Sequence, residues 1–442
     1  MKTLNSKRLH LLFVILLAGI TTMYAQDWPQ YLGPERNSTS PQKNIMRSWP
    51  EAGPEVVWSV GIGIGYGGPV VKDGKIYLLD RDDQAGDNLR CFDLNTGKEL
   101  WNYAYDAPGS VMFPGSRSVP IVDGKYVYSC GPYGDLYCVD TDTRMPVWNK
   151  NVWTDFGGGE IPRWAISQCP LVYGDLLILA SQAPEAGVVA YDKLTGELKW
   201  KTPSLGAVGY VSPAIVKIDG QDHVVMVTAS SGGRGGTPAT PGKIVGIDPG
   251  SGDVLWENTD WVCRIPIPSA VDAGENRILV LGGYDLGALM IQVEKEADGT
   301  YGTKVLIKTE EFGDQTKPPI LHEGYFYAQF GTNNTRDGLS CMSMEGEIMW
   351  KTKRDPDFNK GSMILADGLI LATDGAKTLY LIEPDPSGFK PLASAELLAE
   401  ADTGDDPGAA RHGVQNWAPI ALADGKLLIR DQSQLMCVKV AE

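Results

Sequence analysis

Asp93-Leu94-Asn95-Thr96-Gly97-Lys98-Glu99-Leu100-Trp101 is written several times over along this 442-residue chain. Asp192…Thr195-Gly196…Trp200 and Asp248…Ser251-Gly252…Trp256 keep its Asp-to-Trp spacing. Asp140…Thr143-Arg144…Trp148 keeps it with the glycine replaced, and Gly346…Trp350 keeps the second half. Self-similarity of this kind marks a repeat architecture. Asp and Thr side chains bond nearby backbone N–H groups and Gly takes the left-handed conformation that closes a turn, so the unit reads as strand, tight turn, strand. Trp58, Trp101, Trp148, Trp200, Trp256 and Trp350 all fall at one position of the second strand. A large ring at a fixed strand position is what stacked sheets need to bury, so these rings are expected as mortar between repeats.

A second signal fixes the period. Pro69-Val-Val-Lys-Asp-Gly-Lys-Ile-Tyr77 returns as Pro120…Tyr128, Pro170…Ile178 and Pro319…Tyr327, with looser copies from Pro213, Pro268, Ser362 and Pro419. Asp-Gly between short apolar runs is a hairpin signature, and Pro is tolerated as the first residue of a strand. The eight openers lie 51, 50, 43, 55, 51, 43 and 57 residues apart. The last copy ends after Gln434…Val440 with three strands, and an orphan Trp-strand, Glu55-Val-Val-Trp58-Ser-Val60, precedes the first copy. Joining the two closes a ring and removes open sheet edges. The expected fold is all-β: an eight-bladed β-propeller of four-stranded antiparallel blades over residues 54–442, with the N-terminal strand completing the C-terminal blade.

Residues 1–25 read as a secretory signal peptide, basic from Lys2 to Arg8 and then apolar from Leu11 to Ile20, a run too short to span a bilayer. With no cysteine before Cys91 for lipid attachment, a soluble periplasmic or secreted protein is expected. Without Lys2, Lys7 and Arg8, 36 basic residues face 55 acidic ones, a net charge of −19. Such a surface argues against nucleic acid or an anionic membrane as partner. Cys91, Cys138, Cys341 and Cys437 occupy one place in four repeats, where Ala190 and Gly246 stand in two others. Equivalent positions in separate blades are too distant to bridge, so these are small buried fillers rather than a disulfide framework. The carboxylate-rich Asp80…Asp87 departs from calcium-loop spacing and reads as a solvated hairpin tip.

Residues 26–53 lack periodicity and are expected to pack as an extended arm along the outside of the ring. Their Trp28-Pro29-Gln30-Tyr31-Leu32-Gly33-Pro34-Glu35-Arg36-Asn37, followed by Gly65-Tyr66-Gly67-Gly68-Pro69 and the Asp-x-x-Thr-Gly-x-x-x-Trp repeats, resembles the secreted pyrroloquinoline-quinone-like (PQQ-like) β-propeller repeat proteins. The resemblance implies the propeller fold. It also points to two related groups, the quinoprotein alcohol dehydrogenases, which hold PQQ and calcium on the axis, and a scaffolding propeller of outer-membrane barrel assembly. The Cys-Cys dipeptide and the Cys-x-x-Cys-His haem motif of the first group are absent here.

Function belongs to a site grafted on a fold. In a propeller the innermost strands start beside the central channel, so residues just before the openers form a ring at its mouth. This ring nominates Tyr66, Arg117, Trp164, Gln168, Tyr210, Arg264, Lys317, Lys360, His412, Asn416 and Trp417 as ligand-binding residues, with no metal site. Arg117, Arg264, Lys317 and Lys360 against Asp314 and Asp357 make this ring positive in an acidic protein, which focuses an anion toward the axis. Arginine forks suit carboxylates and the rings suit sugars or a flat cofactor. The expected function is non-catalytic binding of a carbohydrate or other anionic small molecule, an anionic glycan among them, or of a protein partner. The alternative is an enzyme at the same mouth: a quinoprotein-type oxidoreductase with PQQ and calcium, or a uronic-sugar lyase using His412 or a tyrosine beside Arg117.

Overall fold

A computed structural model describes residues 26–231, 242–284, 286–331, 336–399 and 415–442. Its strands form eight sheets, one per repeat, each of four antiparallel strands, with a fifth strand added in parallel to the seventh. Blade one, for example, runs Val70–Lys72, Lys75–Asp82, Gly86–Asp93 and Glu99–Asp106. The second strand of each blade is buried on both faces, as in Lys75–Asp82, whereas the outermost strand exposes alternate residues, as in Glu99–Asp106. That gradient is expected of sheets packed face to face around an axis, with solvent reaching only the rim. The ring closes as the sequence predicts: Val56–Gly61 pairs antiparallel with Gln434–Lys439, and Trp58 stands opposite Cys437.

The repeat motif is a lock between blades. Asp93 Oδ1 accepts the N–H groups of Asn95 and Thr96 and the Thr96 hydroxyl, and Asp192 and Asp248 repeat the turn. Gly97 sits at φ 68°, and a Cβ there would lie 2.6 Å from the Trp58 ring. The glycine therefore both closes its own turn and seats the indole of the preceding blade. Trp58 Nε1 completes the lock by donating to Leu94 O at 3.0 Å, as Trp148 does to Lys193 O, Trp200 to Pro249 O and Trp350 to Asp385 O. Where Arg144 replaces the glycine it adopts φ 61°. The small-residue position faces the indole within its own blade: Cys91 pairs with Trp101, Ala190 with Trp200 and Gly246 with Trp256. All seven cysteines are buried and free. In blades five and seven, which lack the tryptophan, Ile307 and Ala393 fill its place opposite Met290 and Leu381.

One expectation is corrected and another narrowed. The arm does not run along the outside; it crosses the ring. Trp28 bridges to Val71 in blade one, Arg36 donates to the carbonyls of Pro170 and Pro213 at the openers of blades three and four, and Thr39–Ser40 pairs in parallel with Met363–Ala366 of blade seven. Trp28, Tyr31 and Leu32 are buried on the way, so apolar burial against the inner strands outweighs the extended, solvated course their Pro and Gly content suggested. The Asp80…Asp87 hairpin is solvated at its tip, where Asp82, Gln84 and Ala85 are exposed, but not at its base. Asp80, Arg81 and Asp87 are buried, and Arg81 pairs with Asp87 at 3.0 Å and bonds the carbonyls of Ala107 and Gly109. The signal segment and His412 lie outside the described residues.

Candidate functional site

The strand register decides what faces the channel. Residues three and one before an opener share a face of an extended chain, since side chains alternate along a strand. Arg117 and Val119, Ser167 and Cys169, Tyr210 and Ser212, and Ile265 and Ile267 accordingly line one cavity, of about 360 Å³. Tyr66 and Thr316 join it from blades one and six. In the last two blades the lining shifts by one residue, to Lys360 and Trp417; Lys360 lies in the left-handed region at φ 63°. Tyr31, brought in by the crossing arm, also lines the cavity.

Seven of the eleven nominated residues meet here: Tyr66, Arg117, Trp164, Tyr210, Lys317, Lys360 and Trp417. Gln168 does not, because it sits two before its opener and points into the wall, where its amide donates to Gly209 O and accepts from the Ser167 N–H. Asn416 is buried and spends its amide on the carbonyls of Ala376 and Ala399. Arg264 is exposed and outside the cavity. Residues not nominated include Tyr31, Met112, Phe113, Arg163 and Tyr284. Period-two alternation extended to the position before each opener reaches Val119, Cys169, Ser212 and Ile267. No sequence period reaches Tyr31 or Tyr284.

Rings and cations make up the wall. Trp417 lies 5.6 Å from Tyr66 and 5.9 Å from Phe113, centroid to centroid, while Trp164 meets Tyr210 edge-on at 5.5 Å. Tyr66 OH donates to Gln415 at 2.6 Å, and the Gln315 amide donates to Tyr284 OH at 3.0 Å. Arg117, Arg163, Lys317 and Lys360 all line the cavity, and none of the lining residues is an aspartate or glutamate.

The four cations are held differently. Arg117 donates to the carbonyls of Gly115, Met112 and Phe113, so it braces that loop and offers the cavity its charge rather than a free fork. Burial lowers its guanidinium to about 10. Arg163 is exposed and stacks over Trp164 at 5.3 Å. Lys317 Nζ donates to Trp417 O at 2.9 Å, and burial brings it down to about 8 against the opposing pull of Asp314. Lys360 is buried, with Nζ 4.6 Å from the Trp417 ring centroid. Burial brings it too down to about 8, with Arg336 acting in the same direction and Asp314 against it. Asp314 itself is buried behind the wall and raised to about 6 by desolvation, although it accepts N–H groups from Thr316 and Lys317. Cations crowded into a desolvated cavity without a carboxylate partner favour whatever anion enters.

Comparisons with known proteins fit this architecture. A PQQ-repeat family described as outer membrane protein assembly factor BamB matches residues 85–260. The chain is similar to quinoprotein alcohol dehydrogenase PedH of Pseudomonas putida, 33% identical over 154 residues, 32% of this chain and 24% of that protein. It is also similar to outer membrane protein assembly factor BamB of Bordetella pertussis, 26% identical over 248 residues, 56% of this chain and 53% of that protein. These matches thus span from about a quarter to about half of the relatives' lengths. Among solved structures, the quinohemoprotein alcohol dehydrogenase of Comamonas testosteroni superposes with a TM-score of 0.63 at 13% identity, covering 94% of this chain and 81% of that one. BamB of Moraxella catarrhalis does so at 0.55 and 12%, covering 87% and 96%.

The quinoprotein resemblance raises the question whether PQQ and calcium fit the cavity. Calcium takes six to eight oxygen ligands, carboxylates prominent among them. The cavity lining supplies no carboxylate, and among the described residues no group of three or more His, Cys, Asp or Glu is placed to hold a metal. The donor set does not suit a calcium-assisted quinone, and no redox step is derived from it. Its repeats, their spacing and the strand exchange that closes them are consistent with a PQQ-like β-propeller, and the PQQ-repeat family matches residues 85–260 of this chain.

Proposed function

We propose that this chain is an exported, non-catalytic binding protein that takes an anionic, ring-bearing ligand, such as a uronic-acid glycan, into the mouth of its central channel. The observation that carries the reading is the lining: four cations, no carboxylate and seven aromatic rings around about 360 Å³, in a chain of net charge −16. That volume is in the range of small-ligand pockets. An entering carboxylate would neutralise buried ammonium groups that have no carboxylate within salt-bridge distance among the described residues, and sugar C–H faces would stack on Trp417, Tyr66 or Trp164. Gln315 Oε1 and Thr316 Oγ1, on residues that line the cavity, are buried without a hydrogen-bonding partner among the described residues. Calorimetric titration with oligogalacturonate and with its neutral counterpart tests the reading. Binding of the acidic sugar alone is expected, and no heat from either would remove it.

A protein partner is the second reading, and the rim favours it. Met112 is 48% exposed, Tyr284 45%, and Arg163 stands beside them in the lining. Met, Tyr and Arg are the residue types that interfaces concentrate. Substituting Met112→Asp should then abolish capture of the partner while leaving the small-ligand titration unchanged. Periplasmic location belongs to this same proposal, supported by the leader-like composition of residues 1–25 and by similarity to a protein named for outer-membrane assembly.

A further inference from the structure

Anion binding alone does not account for Lys360. Of the four cations in the cavity, Arg117 has three carbonyls, Lys317 has Trp417 O, and Arg163 is exposed and lies over Trp164. Lys360 is 4% exposed, and among the described residues its Nζ has no hydrogen-bonding partner or carboxylate, only the Trp417 ring 4.6 Å away. It faces into the cavity from blade seven, beside Thr316, Lys317 and Trp417. An ammonium in that position is costly, so burial favours the neutral amine. A desolvated lysine next to other cations is a nucleophile as well as a counter-charge.

We propose that Lys360 forms an imine with an anionic ligand that also carries an aldehyde or ketone, such as the open-chain form of a reducing uronic sugar, while Lys317 and Arg163 hold the anion. The Nζ lone pair attacks the carbonyl carbon, forming the N–C bond as the C–O π bond opens. The resulting hydroxyl leaves as water with a proton from nitrogen, so amine and carbonyl give imine and water, with nothing oxidised or reduced. When the imine is protonated, the Trp417 face stabilises its charge as it does the ammonium. This step rests on the anion-binding reading above and adds a covalent bond to it.

Pyridoxal 5′-phosphate, a flat anionic aldehyde, tests the proposal on the full chain. One equivalent is added near pH 8, where the amine is half neutral, the mixture is reduced with borohydride, and the adducts are mapped by peptide mass. The adduct is expected at Lys360 in about tenfold excess over the exposed Lys98 and Lys353, and Lys360→Arg should lose it. Label spread evenly over exposed lysines, or placed on Lys317 instead, overturns the proposal, and this mapping of the wild-type protein stands whether or not the variant folds. A parallel titration with oligogalacturonate separates the two ideas. Binding without trapping overturns the imine alone; neither binding nor trapping overturns both.

Discussion

The blade-to-blade locks and the channel mouth are built from the same repeats and behave oppositely. At the locks, blade after blade sets an indole on a glycine turn, and the hydrogen bonds of Asp, Thr and Trp are satisfied locally. At the mouth each blade contributes a different side chain, and charge is left without a counter-charge. Stability needs every interface alike, since one poor interface opens the ring. A ligand is asymmetric, so recognition has to break the repeat. The place where the repeats diverge is therefore the place to look for function.

The largest effect should come from the locks. Trp200→Ala removes a buried indole and its bond to Pro249 O, at a cost of about 3 to 5 kcal/mol, read from the urea midpoint, with ligand affinity in the surviving folded protein unchanged. Gly97→Val strains a φ of 68° and drives a side chain into Trp58, and should destabilise by roughly 2 to 4 kcal/mol. If either change altered anion affinity first, the division between scaffold and site would fail.

At the mouth the signs should reverse. Lys360→Met removes a buried ammonium without a carboxylate partner, so stability at neutral pH is expected to rise by on the order of 1 to 3 kcal/mol while anion affinity falls about tenfold or more. Calorimetric binding and a thermal midpoint on one sample check both. A loss of stability would mean that Lys360 supports the fold.

pH sharpens the same contrast. Lys317 and Lys360 titrate at about 8 in the folded chain, below the ordinary lysine value. Between those limits the unfolded chain holds more protons, so their contribution to stability rises with pH through that window, and the burial cost is fully present below it. Anion affinity should run the other way, strongest below pH 8 and falling as pH rises through it. The groups acting on the two amines are Asp314 on both, Cys169 on Lys317 and Arg336 on Lys360; Asp314 protonates below about 6, so the titration is best read above that. The smallest effect should be Asp93→Ala, which loses three turn hydrogen bonds at an exposed site, about 1 kcal/mol by denaturant titration and nothing in binding.

Legibility followed the same division. The Asp-x-x-Thr-Gly turn, the Trp position and its small partner were readable because each is a local rule repeated often enough to stand out. The mouth was readable only where the extended register held. Arg117 and Tyr210 follow the three-before-opener rule, while Asn416 breaks it, because the lining has moved on to Trp417. Gln168 was misplaced by a single residue, and in a strand one residue turns a side chain to the other face.

Blade number and strand exchange were determined by the sequence alone, because short-range turn chemistry and periodic burial repeat in it. Only the tertiary structure decided that the arm crosses the ring and brings Tyr31 to the cavity, that Arg117 braces a loop, and that Lys360 lies buried without a counter-ion. Those outcomes depend on contacts between segments far apart in the chain, where packing and desolvation are set by neighbours that no local pattern names.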